Sequence, residues 1–282
     1  MISSLTPWID AGSVGSLTLE RLERYLHAED LGQLARPGMY FDFTRYRPVM
    51  YHEGGQRRMN VPNCHLRYAT GPGDTDFVFM HMLEPHAFAE DYIDSVAEVL
   101  DVLKAKRFCR IGAMYDAVPH TRPLLVMGTL NGEPLASVPG VSGSRRRPYQ
   151  GPTSIMNMVG DRAAEMGMEH MTLMVRLPHY VELEADFAGR TAALKVLCNL
   201  YNLPPEYYIS QRDSQQYARV TSEMQNNPQV RALVERLESD YDQRMGRQRP
   251  DRDEPTEGRA TLPPAVERFL GELGSFGEDE KK

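Results

Sequence analysis

Two hydrophobic rhythms alternate along the chain. Apolar runs of strand length occupy residues 77–83, 108–114 and 171–177, with apolar side chains at both odd and even positions. That is the pattern of a strand covered on both faces. Between such runs, apolar positions recur three and four apart. Val14, Leu17, Leu22, Tyr25 and Leu26 form one set, and Phe88, Tyr92, Val96, Val99, Leu100 and Leu103 form another. Residues 153–167 and 187–201 read as further helices, the latter stopped near Leu203-Pro204-Pro205. Residues 2–7 open a strand–loop–helix unit, and 39–43, 49–53, 65–69 and 124–128 read as additional strands. Glu53-Gly54-Gly55-Gln56 and Asn131-Gly132 mark turns, the second of hairpin type. Strands alternating with helices predict an α/β fold over residues 1–210: three layers, α/β/α, with a mostly parallel central sheet. The runs 77–83, 108–114 and 171–177 are expected as its central neighbours.

The pattern changes after residue 210. Residues 210–244 keep a helical period with few aromatics after Tyr217. Leu233, Val234, Leu237 and Tyr241 form one narrow apolar stripe. A helix of that kind gains stability by packing. The expectation is a helical C-terminal extension over 211–245, docked on its own domain or on a neighbouring subunit. Residues 246–282 read as a flexible linker, rich in Arg, Asp, Glu and Pro, and one short helix using Val266, Phe269, Leu270 and Leu273.

Composition narrows the class. The 282 residues are 41% hydrophobic and 25% charged, an ordinary globular mixture. The formal net charge of −7 opposes a phosphate backbone, so nucleic acid is not an expected partner. Cys64, Cys109 and Cys198 are widely spaced and read as reduced structural residues. The N-terminal residues lack a basic stretch followed by a long apolar one, and no apolar run is long enough for a membrane span. A cytoplasmic protein without a membrane partner is expected.

Candidate chemistry gathers in four loops that should leave the carboxyl ends of strands. They are 8–12, 84–86, 116–122 and 178–180. In a parallel sheet those ends share one edge, where α/β proteins place their sites. Convergence would bring together Trp8, Asp10, Glu84, Asp116, His120, Arg122, His179 and Tyr180. An imidazole oriented by a carboxylate can do general acid–base work. The same residues also suit architecture: Asp10 and Asp116 as caps, and Arg122 as a fork locking a carboxylate such as Glu84 or Asp10. Asp10-Ala11-Gly12-Ser13-Val14-Gly15 lacks the first glycine of a dinucleotide fingerprint and reads as a capped helix start. His81 and Glu84 point to opposite faces of a strand and make no ready chelate, so no metal is expected. Val141-Ser142-Gly143-Ser144 is not a nucleophile elbow, and Cys109 sits inside a strand as core. Arg145-Arg146-Arg147-Pro148 is a compact basic patch, read as a solvated loop. No cofactor motif is found.

Four segments in order resemble the PAC2 family, the proteasome-assembly-chaperone-2-like proteins. They are Pro7-Trp8-Ile9-Asp10-Ala11-Gly12, Leu83-Glu84-Pro85, Val118-Pro119-His120-Thr121-Arg122-Pro123 and Leu177-Pro178-His179-Tyr180. Gly151-Pro152-Thr153 is similar to the family's glycine turn. The resemblance covers about residues 1–205. It implies a phosphorylase/hydrolase-like α/β/α fold, related in shape to purine nucleoside phosphorylases, and homo-oligomer formation. It implies no catalytic residue, because a shared fold does not carry an activity with it. Some archaeal relatives dock on the proteasome ring through a terminal hydrophobic-Tyr-X tail; Glu280-Lys281-Lys282 departs from that pattern. Two functions follow as expectations. The first is a non-enzymatic oligomeric protein that binds or chaperones protein partners. The second is a small-molecule binder or a hydrolase- or phosphorylase-type enzyme using the strand-end cluster.

Overall fold

The computed structural model describes residues 1–142, 151–209, 211–224 and 227–246. The first half of the chain runs β1 (Ile2–Thr6), α1 (Val14–Tyr25), β2 (Glu29–Gln33), β3 (Val49–Glu53), β4 (Gln56–Asn60), β5 (His65–Thr70), β6 (Asp76–Leu83) and α2 (Ala89–Val102). It continues through β7 (Arg107–Asp116), β8 (Val126–Leu130), β9 (Glu133–Pro134), β10 (Val141–Ser142), α3 (Ile155–Glu165), β11 (Glu169–Pro178) and α4 (Phe187–Tyr201). Two helices follow, α5 (Gln211–Met224) and α6 (Pro228–Gly246).

One sheet has the order β10-β8-β11-β7-β1-β6-β5-β2, with β9 paired to β8. Its centre, β11-β7-β1-β6, is parallel throughout. Antiparallel β8 borders β11 on one side; on the other, β5 pairs antiparallel with β6 and β2 pairs antiparallel with β5. The three apolar runs are therefore central strands, as their two-faced hydrophobicity requires, but β1 lies between β6 and β7. Alternate residues of each strand feed opposite layers. Phe77, Phe79, Cys109, Ile111, Leu173 and Val175 pack against Leu19 and Leu22 of α1 and Leu194 and Leu197 of α4. Leu5, Met80, Met82 and Phe108 pack against Tyr92, Val96 and Leu100 of α2 and Ile155 and Val159 of α3. The result is the three-layer α/β/α fold.

Three local expectations change. Residues 39–43 are not a strand: a short 3₁₀ turn covers Pro37–Met39, and Phe41 is buried edge-on against Tyr46 and Tyr92. The strand expected at 124–128 starts later, at Val126. The single long helix over 210–244 is two helices, because Pro228 cannot continue α5. The Asn227 carboxamide oxygen caps α6, accepting from the backbone N–H groups of Gln229 (3.0 Å) and Val230 (3.3 Å).

The last two helices dock on the parent domain. Val220, Met224, Val230 and Leu237 close a third apolar cluster on Tyr180 and Val181, just past β11, with Leu233 and Val234 packed at its margin. Gly143-Ser144, the Arg145-Arg146-Arg147-Pro148 patch, and the linker and short helix expected after Gly246 lie outside the described residues.

Candidate functional site

Because β6, β1, β7 and β11 are parallel neighbours, the loops after them leave one edge of the sheet. Trp8 and Asp10 follow β1, Glu84 follows β6, Asp116 ends β7 ahead of His120 and Arg122, and His179 and Tyr180 follow β11. All eight candidate side chains belong to this edge. Hydrogen bonds, however, sort them into three groups rather than one cluster.

Asp10 serves α1. Its carboxylate accepts from the Gly15 N–H (2.6 Å), the Ser16 N–H (3.3 Å) and the Ser16 hydroxyl (2.6 Å). Burial holds its carboxyl above the ordinary range, partly offset by these bonds. Gly12 lets the loop pass close to α4: its φ is +57°, and a Cβ there would lie 2.7 Å from Cβ of Asp186. Trp8 projects outward, half exposed. Glu84 stands apart, beside Tyr46 and His86. Its backbone carbonyl accepts from the Tyr46 hydroxyl at 3.2 Å, and partial burial raises its carboxyl above the ordinary range.

The third group is the densest, and α5 and α6 complete it. The Tyr180 hydroxyl accepts from the backbone N–H of His120 (2.9 Å) and lies 2.7 Å from His120 Nδ1. The Thr221 hydroxyl of α5 donates to the Tyr217 carbonyl (2.9 Å), so toward the His120 ring it accepts from Nε2–H (3.1 Å). Burial favours the neutral ring, which leaves Nδ1 to accept the Tyr180 proton. His120 is held neutral in one tautomer, and its ring sits edge-on to Tyr180 and Tyr217. Asp116 takes Arg176 on one carboxylate oxygen and the Ala117 N–H on the other. The Asp116 backbone carbonyl receives the His179 N–H (3.0 Å) and His179 Nδ1 (3.1 Å).

Arg122 does not lock Glu84 or Asp10. Its guanidinium forks onto both carboxylate oxygens of Asp242 (3.0 and 2.8 Å) and reaches Glu238 at 3.1 Å. The Asp242 bond holds Arg122 above its ordinary pKa, and the same bond depresses the Asp242 carboxyl. The Thr121 hydroxyl also donates to Glu238, and the Tyr241 hydroxyl donates to the Pro123 carbonyl at 2.9 Å.

Sequence reasoning missed the other half of this group. Asp186 caps α4 through the Gly189 N–H (2.7 Å) and accepts from the Tyr217 hydroxyl (2.8 Å). Gln216 brackets the same turn, accepting from the Phe187 N–H and donating to the Ala185 carbonyl. The one legible hint was the spacing of Glu238, Tyr241 and Asp242, which share a helix face.

A pH dependence follows. Burial holds His120 below its ordinary value of 6.5, with Glu238 opposing weakly. Above that value both folded and unfolded chains carry it neutral. As pH falls below 6.5, the unfolded chain takes up a proton that the folded chain refuses, so stability declines until the folded pKa is passed. The melting temperature of the wild type should therefore fall more steeply than that of His120→Gln between pH 6.5 and the acid limb. Parallel curves would contradict the buried neutral assignment.

A family model described as the PAC2 family matches residues 4–225, most of the chain. The chain belongs to the PAC2 family. Solved structures agree with this PAC2 fold. A proteasome-assembly chaperone homologue from Mycobacterium tuberculosis is 22% identical, with a TM-score of 0.71 over 83% of this chain and 98% of that one. A PAC2 family protein from Streptomyces avermitilis is 24% identical, with a TM-score of 0.72 over 83% and 98%. The archaeal proteasome activator PbaB from Pyrococcus furiosus is 14% identical, with a TM-score of 0.55 over 87% and 91%. No curated protein matches. Among the described residues of this PAC2 chain, no group of three His, Cys, Asp or Glu side chains is placed to hold a metal ion. No helix among them is long and apolar enough to cross a membrane.

Proposed function

We propose that this PAC2 chain is a non-enzymatic, homo-oligomeric protein that binds and helps assemble protein partners in the cytoplasm. One observation carries the reading: the side chains of the strand-end edge best suited to chemistry are spent on architecture. His120 is tied to Tyr180 and Thr221, Arg122 to Asp242 and Glu238, Asp116 to Arg176, and Asp10 to the start of α1. A general acid–base needs a pair free to meet a substrate. Here the β7 and β11 end of the edge is capped by α5 and α6 instead. The kinship with proteins named as a proteasome-assembly chaperone homologue and an archaeal proteasome activator supports the same direction.

The test uses the full chain with purified, unassembled proteasome subunits. Light scattering is expected to give a mass above one chain, and native electrophoresis an increased yield of assembled particles. Phosphorolysis or hydrolysis of nucleosides by the purified chain, lost in Glu84→Gln, would replace this reading with the enzymatic one.

A further inference from the structure

Among the described residues the hairpin of β3 and β4 has no cover. There the two strands pair only with each other, and every residue in both is exposed. A lone two-stranded hairpin is marginal in water, so its folded form gains from a surface laid against it. It also presents unusual apolar area for an exposed element. Val49, Met50, Tyr51 and Met59 are 61%, 53%, 46% and 54% exposed. On one face Met50 opposes Met59, with His52 opposite Arg57 toward the tip; on the other Tyr51 opposes Arg58. Residues 47–60 hold Arg47, Arg57 and Arg58 against Glu53, a positive segment in a chain of net charge −7.

The complement is on the same molecule. Helix α2 carries Glu90, Asp91, Asp94, Glu98 and Asp101, all exposed, and no Lys or Arg. Asp94 meets Arg162 at 3.8 Å; the other four have no ion pair among the described residues. Phe88 and Val102, at the two ends of the helix, are 58% and 71% exposed. An apolar, basic arm and an acidic helix with apolar ends fit each other in both respects. Both are exposed among the described residues of one chain, which leaves each available to a second copy. Pairing of two arms through their β4 edges would instead bring Arg57 and Arg58 of both copies together, which like-charge repulsion opposes.

We propose that the β3–β4 hairpin is an assembly arm that lies on α2 of a second copy of this chain. The inference rests on the homo-oligomeric reading above and names the surface that would perform it. It is tested by a charge swap followed by light scattering on the full chain. Arg57→Glu with Arg58→Glu makes an acidic arm, and Asp91→Lys with Glu98→Lys makes a basic helix. All four positions are exposed, so both variants should stay folded, the helix variant melting slightly lower because Asp91 lies in the first turn of α2. Each variant alone is expected to fall to the mass of one chain. An equimolar mixture is expected to rise above the mass of one chain, because the acidic arm of one meets the basic helix of the other, and the unaltered arm and helix also match. If the wild type is oligomeric and both variants keep its mass, the arm is overturned and the proposed function stands. If the wild type is monomeric at every concentration, homo-oligomerisation itself falls and the arm with it.

Discussion

A chain truncated after Leu203 should melt far below the full-length protein. The cut removes α5 and α6, and with them the apolar cover of Tyr180 and Val181, which are 0% and 3% exposed in the full chain. Fully burying one such side chain contributes about 1.5–3 kcal/mol. The cut also deprives the buried His120 and Asp186 of Thr221 and Tyr217. A lost partner at a buried polar group costs about 1–3 kcal/mol, less where water can enter. Arg122 adds little, because its guanidinium is one-third exposed and would be rehydrated. The total is on the order of 5 kcal/mol, which for a domain of this size corresponds to roughly 10–20 °C in melting temperature. Differential scanning calorimetry reads it directly. A truncated chain melting within a few degrees of the full length would mean that α5 and α6 are passengers rather than part of the domain.

That docking marks the boundary of what local pattern reveals. The central strands were legible because β6, β7 and β11 are buried on both faces and so read as continuous apolar runs. The Asn131-Gly132 turn was legible because both residues take positive φ, +51° and +83°, which few other residue types accept. Strand β2 was not legible: Glu29–Gln33 is exposed at every position and is held to β5 by backbone pairing around a bulge. Residues 39–43 misled for the opposite reason. They are apolar, but Phe41 is buried by aromatic packing in an irregular segment, and period alone cannot tell that from a strand. The break at Asn227-Pro228 carried an ordinary turn signal that the longer helical period concealed.

At the strand-end edge, residue types were legible and partners were not. His120, Arg122 and Tyr180 stand out as polar groups at the ends of apolar runs. Their partners Thr221, Glu238 and Asp242 lie about a hundred residues further on, for His120 and Arg122 alike. Which turn of α6 meets Arg122 is set by how Val230 and Leu237 seat on Tyr180 and Val181. No spacing rule along the chain encodes that register.

Tyr180→Phe should be the most damaging single-atom deletion in this part of the molecule. The ring is buried and its hydroxyl serves His120 twice, as acceptor for the backbone N–H and as donor to Nδ1. Phenylalanine keeps the ring packing in the third apolar cluster and removes only the oxygen. His120, 6% exposed, is then left with an unpaired N–H and an unpaired ring nitrogen. At about 1–3 kcal/mol for each such group, the expected loss is roughly 2–4 kcal/mol, or about 5–15 °C in melting temperature. His120→Ala removes one of the two stranded groups, so combining it with Tyr180→Phe should cost less than the sum of the single changes, by about 1–2 kcal/mol. Strict additivity in that cycle would show that the two side chains do not share a bond in solution. A melting temperature unchanged in Tyr180→Phe would show that the hydroxyl is not the hinge pin joining the His120 loop to the end of β11.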